Sequence, residues 1–322
     1  MAVSVIVSNF NGISFLPRLI ESLRAQQGVE LEIIIVDRKS TDGSLDFLRD
    51  VSEIQLITEP PETGLVAGYH AGSKIATREN LFFCNEDMWF SSDCLSKLEK
   101  AIDIDKKIIA ADPWQWTYQG DERIHAGTRF QKCRFSFNSP HPFYQADFDC
   151  ELKEGEGVPF PCAGAVMISA IHYRKLGGWD SSFFLNHEDT DLFLRAWQQG
   201  YSCVSVPSAK VYHACGASNQ KTIAGGKLSV GKRRYISNFS SLIIMGIKYF
   251  SGFFVLLGLL STFVRMASNV IRFRFVYLGW DFLVLREVMK RFRGACEYRK
   301  THREWNRLKP GESFFTDSSF SK

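Results

Sequence analysis

The cysteine patterns that mark a zinc site or a disulfide framework are missing from this sequence. Eight cysteines are spread over 322 residues, without a CxxC pair or a short regular spacing. Such a distribution indicates reduced thiols, as in a cytosolic protein. The N-terminus also lacks the basic start and long apolar core of a signal peptide, and Val3–Val7 predicts a buried strand instead. We therefore expect this part of the chain to remain in the cytoplasm.

Two common nucleotide-binding fingerprints are absent as well. The glycine-rich stretch Gly64–Gly72 has neither the GxGxxG spacing of a dinucleotide site nor a Walker pattern. Its glycines indicate either close approach of the backbone to a nucleotide or tight helix packing, and the sequence leaves both open. The sequence also contains no internal repeat and no low-complexity tract.

The composition is that of a globular chain with an uneven charge distribution. Hydrophobic residues make up 45%, and the formal net charge of +4 is modest. The basic excess lies late in the chain, from Lys227 onward. We therefore predict a globular domain over residues 1–226, followed by a basic, apolar helical region over residues 227–322.

Short apolar runs alternate with helical patterns near the N-terminus. The runs are Val3–Val7, Leu31–Val36, Ile54–Thr58 and Leu81–Cys84. This alternation predicts an α/β fold with a mostly parallel sheet, in which ligands bind beyond the carboxyl ends of the strands. Asp37 and Asp87 follow the second and fourth runs. We therefore expect both carboxylates at that edge of the sheet.

The middle of the sequence has a less regular pattern. Residues 101–160 mix aromatic residues with Gly, Pro and His, which favours irregular or antiparallel structure. Pro161–Ile168 then predicts a strand, and Cys203–Pro207 and Ala209–His213 predict two further strands.

The run Asn186–Trp197 places three carboxylates at the start of a predicted helix that ends at Gly200. They are Glu188, Asp189 and Asp191. The helix dipole favours carboxylates at this end by roughly 0.3–1 kcal/mol each, so a capped surface helix is one interpretation. A functional cluster is the other.

Several segments together indicate a family. They are Val3–Gly12, Ile35–Asp37, Ser40–Ser44, Gly64–Gly72, Asn85–Asp87, Gly164, Gly177–Asp180, Glu188–Leu192, Gly200–Tyr201 and His213. Their order and spacing, over about residues 2–216, resemble the inverting family-2 glycosyltransferases, and among them the rhamnosyltransferase-like members. The resemblance implies a GT-A fold, a Rossmann-like, mostly parallel mixed sheet flanked by helices. It also implies transfer of a sugar from a dTDP- or UDP-sugar to a hydroxyl of a glycan or lipid-linked acceptor in cell-surface polysaccharide assembly.

The resemblance also implies roles for individual residues. The donor would be bound by Ser8, Asn9, Asp37, Gly64 and Asn85. A divalent cation, Mg²⁺ or Mn²⁺, would be bound by Asp87 and His213 and would neutralise the leaving diphosphate. Asp189 would be the general base that deprotonates the acceptor hydroxyl, and Glu188 would orient hydroxyl groups.

Three places depart from the family pattern. Glu86 replaces a common Pro in the metal motif and could add a second carboxylate to the metal. Arg38-Lys39 replace small or amide residues after the base-binding Asp, and Tyr69-His70 replace two frequent asparagines. These departures leave the identity of the donor open.

The C-terminal region combines apolar runs with Lys and Arg. The uninterrupted apolar stretch Tyr249–Val264 would reach about 24 Å as a helix, short of the roughly 30 Å hydrocarbon core of a bilayer. We therefore expect helices that lie in the membrane interface, with Tyr277 and Trp280 among the inserted aromatics, on the inner face of the cell membrane. A helical cap packed on the catalytic domain or on another subunit is the alternative. No nucleic-acid-binding motif accompanies the basic residues.

Two other functions share these sequence features. A nucleotidyltransferase would use the same sheet and acids, but it normally needs a basic phosphate-binding motif near the first strand, and Val7–Gly12 contains no Lys or Arg. A non-catalytic membrane scaffold with a degenerate nucleotide site would also explain the departures at Arg38-Lys39 and Glu86. The sequence leaves open the sugar, the acceptor and whether the protein forms homo-oligomers.

Overall fold

The structure, a computed structural model, describes residues 2–60, 64–103, 105–127, 129–131, 145–147, 151–214, 227–249 and 252–302. The strands are β1 Ala2–Asn9, β2 Glu30–Asp37, β3 Ile54–Thr58, β4 Asn80–Asn85, β5 Met88–Phe90, β6 Ile108–Thr117, β7 Arg123–His125, β8 Arg129–Gln131, β9 Gln145–Asp147, β10 Ala165–Ser169 and β11 Ser202–His213. The helices are α1 Leu16–Arg24, α2 Ser44–Arg49, α3 Gly64–Ile75, α4 Cys94–Asp103, α5 Ala170–Lys175, α6 Glu188–Gln198, α7 Lys227–Tyr249, α8 Gly252–Ile271 and α9 Phe275–Thr301.

A mixed sheet forms the centre of the described structure, with strand order β3-β2-β1-β4-β10-β6-β11-β5 and β7 paired with β6. The strands β3, β2, β1 and β4 are all parallel to one another. The strand β10 runs antiparallel to β4 and β6, and β11 lies parallel to β6. The predicted α/β fold with a mostly parallel mixed sheet and flanking helices is confirmed.

Alternate residues of the central strands pack on opposite faces of the sheet. On β1, Val5 and Val7 belong to the apolar cluster that includes Leu19 of α1 and Leu98 of α4. Ile6 belongs instead to the cluster on the other face, which includes residues of α3 and α6. Because both faces are covered, the central strands are mostly apolar, and polar residues such as Asn9 and Asp37 stand at their carboxyl ends.

Three details differ from the sequence predictions. Residues 101–160 contain the end of α4 and the ten-residue strand β6, which are more regular than predicted. The strand predicted over Pro161–Ile168 begins only at Ala165. The two strands predicted on either side of Ser208 form one strand, β11, whose register against β6 shifts between Val206 and Lys210. The shift spans Pro207, which has no N–H for the sheet, so the irregularity lets the strand continue.

The three C-terminal helices pack on one another and on the α/β part. Ile243 and Ile247 of α7 pack with Val284 and Val288 of α9. Met245, on another face of α7, belongs to the apolar cluster of α3 and α6. This packing is the one that the helical-cap interpretation predicts. Within the described residues, none of the helices combines the length and the hydrophobicity needed to cross a bilayer.

Candidate active site

The carboxyl ends of β1 and β2 lie side by side and place Asn9 opposite Asp37. The buried carboxylate of Asp37 accepts hydrogen bonds from the Asn9 side-chain amide at 2.6 Å and from the Ser40 hydroxyl at 2.7 Å. The Ser40 backbone N–H donates to the other carboxylate oxygen at 2.9 Å. These donors fix the orientation of Asp37, as a carboxylate that accepts from a nucleotide base requires.

The structure places Asn9 and Ser8 as supports of this edge. The amide oxygen of Asn9 and the hydroxyl of Ser8 are both buried without a hydrogen-bond partner among the described residues. The Ser8 hydroxyl lies under α3, where a Cβ at Gly68 would approach it to 2.4 Å. Close helix packing, one of the two interpretations of the glycine-rich stretch, therefore explains Gly68.

The predicted metal ligands Asp87 and His213 lie together. The carboxylate of Asp87 is 3.2 Å from Nε2 of His213, and both side chains are largely buried. The Nδ1 atom of His213 is 3.0 Å from Oε1 of Gln115, which can accept its proton, so a neutral ring would carry its lone pair on Nε2, the atom that faces Asp87. The Nε2 lone pair and the Asp87 carboxylate would then both be available to a shared cation. Such a cation would have two protein ligands and would leave further positions for water and phosphate oxygens, as Mg²⁺ and Mn²⁺ sites often do.

Within the described residues, no set of three or more His, Cys, Asp or Glu side chains is arranged to hold a metal on its own. Glu86, for which the sequence suggested a metal-facing role, is buried, and its side chain packs over Gly12. A Cβ at Gly12 would lie 2.6 Å from Cγ of Glu86, so only glycine fits there. The charge of Glu86 acts on Arg38 instead.

The positions that depart from the family pattern are neighbours in space. The Arg38 guanidinium lies over the Phe10 ring, 5.1 Å from its centroid. Burial lowers the pKa of Arg38, while nearby Glu86 and Tyr69 oppose this effect. Three of the departing residues, Arg38, Glu86 and Tyr69, therefore lie close together beside Asp37.

Tyr69 connects the sheet edge to the loop before β10. Its buried hydroxyl is 2.9 Å from the side-chain oxygen of Asn85 and 3.1 Å from the backbone oxygen of Ala163. The Ala163 backbone N–H points in turn to the carboxylate of Asp189, at 3.5 Å. Three contacts, through Tyr69 and Ala163, thus link Asn85 to Asp189.

The first turn of α6 is largely buried. The interpretation of this segment as a capped surface helix is therefore wrong. Burial and the charge of Asp189 raise the pKa of Glu188 to about 8. Burial also raises the pKa of Asp189, although the N–H groups of Thr190 and Ala163 act in the opposite direction. The pair therefore retains a proton at neutral pH, and Asp189 is more basic than an exposed Asp.

The backbone before α6 is shaped by the elements around it. Asn186 and His187 both have a positive φ, of 67° and 66°, which aims the following carboxylates inward. The His187 ring is hydrogen-bonded to Asn238 of α7 at 3.0 Å. Gly64, a predicted donor-binding residue, has a φ of +81°, and a Cβ there would lie 2.5 Å from the Phe184 backbone oxygen. The N-terminus of α3 therefore supports the loop that leads into α6.

Asp191, one turn from Glu188, faces the C-terminal helices. Its fully buried carboxylate pairs with Arg195 at 2.8 Å, accepts the Tyr249 hydroxyl proton at 2.7 Å and contacts the Lys248 ammonium group. Lys248, with only 3% of its side chain exposed, also pairs with Asp180 at 3.0 Å. Although burial acts to raise the pKa of Asp180, the Lys248 charge and the hydrogen bonds from Ser182 and Lys248 together lower it to about 2. These ion pairs join α7 to α6.

Sequence reasoning missed three of these residues. Gln115, which orients His213, lies in a segment predicted to be irregular, and Tyr69 was noted only as a departure from the family. Lys248 interrupts the apolar run from Ile243 to Val264, and the sequence prediction gave it no partner. That interruption was the one available signal, because a charge in such a run needs a buried partner.

Comparison with known sequences gives the family. Residues 4–177 match the profile of Glycosyl transferase family 2. The uncharacterized glycosyltransferase YwdF of Bacillus subtilis (strain 168) is 26% identical over 243 residues, which are 74% of this chain and 83% of the relative. The uncharacterized glycosyltransferase alr2836 of Nostoc sp. is 37% identical over 95 residues, 28% of this chain and 29% of the relative.

Comparison with solved structures gives the fold. The crystal structure of GalNAc-T7 with UDP, GalNAc and Mn²⁺ matches 78% of this chain and 48% of its own, with a TM-score of 0.59 and 15% identity. This chain thus spans about half of that protein's length. The mannosyltransferase PcManGT from Pyrobaculum calidifontis, in complex with GDP-Man and Mn²⁺, matches 90% of this chain and 86% of its own, with a TM-score of 0.51 and 14% identity. The predicted GT-A fold is therefore confirmed.

The family profile covers more than half of the 322 residues. The chain therefore belongs to Glycosyl transferase family 2 and is a glycosyltransferase.

Proposed function

We propose that this glycosyltransferase transfers a sugar from a dTDP- or UDP-sugar to a hydroxyl group of a glycan or lipid-linked acceptor, with inversion at the anomeric carbon. The observation that carries the proposal is a chain of contacts that starts at Asp189, a carboxylate with a raised pKa, and runs through Ala163 and Tyr69 to Asn85 at the end of β4. These contacts support a base that lies near the residues proposed to bind the nucleotide and the cation.

Asp37 would bind the nucleotide base. Its Oδ2 atom accepts from Asn9 and from the Ser40 hydroxyl, while Oδ1 accepts only from the Ser40 backbone N–H and keeps a further lone pair for an N–H of the base. Arg38 and Glu86 beside it carry opposite charges and supply further polar contacts that are specific to this chain. We expect this pair to restrict which nucleotide or sugar is accepted.

Asp87 and His213 would hold the divalent cation, whose charge stabilises the nucleoside diphosphate as it leaves. Gln115 keeps Nδ1 of His213 protonated, so that Nε2 is available as a ligand. GalNAc-T7 and PcManGT were both solved with Mn²⁺, which supports the choice of a divalent cation.

Asp189 would accept the proton of the acceptor hydroxyl. The oxygen of that hydroxyl would attack the anomeric carbon while the bond from that carbon to the diphosphate breaks. The raised pKa makes it a stronger base than an exposed Asp. Glu188, whose pKa is about 8, is protonated at neutral pH and can donate a hydrogen bond to a sugar hydroxyl. This orienting role leaves proton transfer to Asp189.

A panel of donors tests this function directly. The purified protein is incubated with UDP-sugars, dTDP-rhamnose and GDP-mannose, each with Mg²⁺, Mn²⁺ or a chelator, and release of the nucleoside diphosphate is measured. We expect turnover of a UDP- or dTDP-sugar that chelation removes, and a product whose anomeric configuration, read by NMR, is opposite to that of the donor. A retained configuration would overturn the inverting mechanism.

The cation site has its own test. We expect Asp87→Asn to weaken Mn²⁺ binding in the presence of UDP, as followed by electron paramagnetic resonance. Asp46→Asn is the matched control, because the Asp46 side chain is exposed on α2. Equal Mn²⁺ binding by the two variants would exclude Asp87 as a ligand.

A further inference from the structure

The turn between α8 and α9 exposes a set of large apolar side chains. We define the hairpin tip as residues 270–277. Its exposed apolar residues are Val270, Ile271, Phe273, Phe275, Val276 and Tyr277. Phe273 is the most exposed of them at 80%, and Ile271 is exposed at 76%. Single exposed apolar residues are ordinary, but a contiguous group of this size indicates an interaction surface.

Phe273 also has a backbone conformation that disfavours its own side chain. The α8 helix ends with two closing bonds, from the Phe273 N–H to the Val270 oxygen and from the Arg274 N–H to the Asn269 oxygen. This pattern places Phe273 in the left-handed region, at a φ of 54°, where helix ends usually have glycine. A bulky residue there is strained, and its exposed ring adds nothing to the core. Neither packing nor turn geometry therefore explains Phe273.

The charge around the tip has one sign. Residues 192–280 contain no Asp or Glu but eleven Lys and Arg residues. Two of these, Arg272 and Arg274, are exposed in the tip and alternate with Ile271, Phe273 and Phe275. Apolar side chains that alternate with arginines match the interface of an anionic bilayer, where rings enter the acyl region and guanidinium groups remain with the headgroups.

The tip is held on a rigid base. The fully buried carboxylate of Asp281 on α9 accepts hydrogen bonds from Tyr235 of α7 at 2.7 Å, and from Arg265 and Asn269 of α8 at 2.7 and 2.9 Å. The Arg265 guanidinium also lies over the ring of Phe239, 3.6 Å from its centroid. Three helices thus converge on one carboxylate, and the projecting side chains are fixed in direction before any partner binds.

We propose that the hairpin tip inserts into the interface of a membrane that contains anionic lipid. A second copy of this chain fits the same surface less well. A symmetric dimer through the tip would place Arg272 and Arg274 against the same residues of the other copy, within a segment that offers no acid to pair with them. This inference is independent of the donor chemistry, because the tip lies outside the site around Asp189.

Vesicle binding by the full-length protein tests the proposal. Cosedimentation is measured with vesicles of phosphatidylcholine alone and with vesicles that also contain phosphatidylglycerol. We expect binding to the anionic vesicles that weakens as salt is raised. The double variant Phe273→Ser/Phe275→Ser should lower the partition coefficient by about tenfold or more. Replacement of Arg272 or Arg274 by Gln should lower it by about fivefold each.

Two matched controls separate the tip from general surface effects. Ile171→Ser removes an equally exposed apolar residue from α5, and Arg49→Gln removes an exposed charge from α2. Neither should change vesicle binding. Phe273→Gly is the sharpest variant, because glycine relieves the left-handed strain while it removes the ring. We expect an equal or higher melting temperature together with weaker vesicle binding.

Several outcomes would overturn the proposal. Binding that is equal on neutral and anionic vesicles, or unchanged by the tip variants, excludes insertion of the tip. A change from dimer to monomer in the tip variants, without any change in vesicle binding, identifies the surface as a contact between copies. Donor hydrolysis in the absence of vesicles is measured for every variant, so that a failure of membrane binding is distinguished from a failure of the proposed catalytic function.

Discussion

The sheet edge and the C-terminal helical region surround carboxylates of one helix, α6, in opposite ways. Toward the sheet edge, burial dominates the surroundings of Glu188 and Asp189, and their pKa values are raised. Toward the helical region, Asp191 is buried just as deeply, but Arg195 and Lys248 pair with it. Asp189, which can accept a proton, and Asp191, which anchors the fold, therefore lie only two positions apart on the same helix.

The difference shows that the effect of burial on a carboxylate depends on whether cations lie beside it. Removal from water without a cation favours the protonated form and makes the carboxylate a stronger base. Removal from water with two cations keeps the carboxylate ionised and commits it to structure. The same first turn of α6 thus serves catalysis on one side and attachment of α7 on the other.

Asp189→Asn should have the largest effect on activity. An amide accepts no proton, so transfer should fall by about 10²- to 10⁴-fold, while binding of the nucleotide sugar, measured by calorimetry, remains near that of the native protein. Because the native pKa is raised, the ionised carboxylate disfavours folding at neutral pH, and the melting temperature of the variant should be unchanged or higher. Full transfer activity would exclude Asp189 as the base.

Asp191→Asn should have the opposite pattern. The substitution leaves Arg195 without its buried partner and weakens the environment of Lys248, so unfolding in urea should show a loss of about 3–5 kcal/mol. If Asp191→Asn kept native stability and lost only catalysis, Asp191 would not be the structural anchor that distinguishes the two regions.

Lys248→Met should have a smaller effect, because Arg195 continues to pair with Asp191. We expect a loss of about 1.5–3 kcal/mol in urea unfolding, together with a lower kcat, since α7 then holds the first turn of α6 less firmly. The control is Lys248→Arg, which keeps the charge and should recover part of both. A variant with native stability and native kcat would show that this ion pair does not couple the two regions.

Glu188→Gln should have the smallest effect of these variants, and its effect on stability should grow as the pH rises from about 5 toward 8. The folded-state pKa of about 8 lies above the ordinary value of 4.5, so the stability contributed by the proton is lost as pH rises toward 8. The melting temperature of Glu188→Gln, relative to the native protein, should therefore rise between about pH 5 and pH 8 and level off above. A difference that stays constant over this range would place the pKa of Glu188 near its ordinary value.

Family membership selects glycosyl transfer over the nucleotidyltransferase and the non-catalytic scaffold that the sequence also allowed.

Much of the fold followed from local patterns, because the apolar runs that become β1 to β4 each end at a polar residue that defines the site edge. The continuity of β11 could not be predicted from local patterns, because the register shift around Pro207 depends on the partner strand β6. The regular strand β6 was also missed, because its tryptophans resemble those of an irregular segment.

The sequence by itself determined the α/β order, the acids at the ends of β2 and β4, and the acidic start of α6, because these depend on short-range periodicity and on strand ends. The family resemblance already named Asp189 as the base, but only the tertiary structure decided what surrounds each acid of α6, with Asp191 paired to Arg195 and Lys248 and Asp189 beside Glu188. That distinction depends on whether Lys248, 57 positions after Asp191, lies beside the carboxylate. Such a contact has no local signature, since the energy of a buried charge is set by what surrounds it in space.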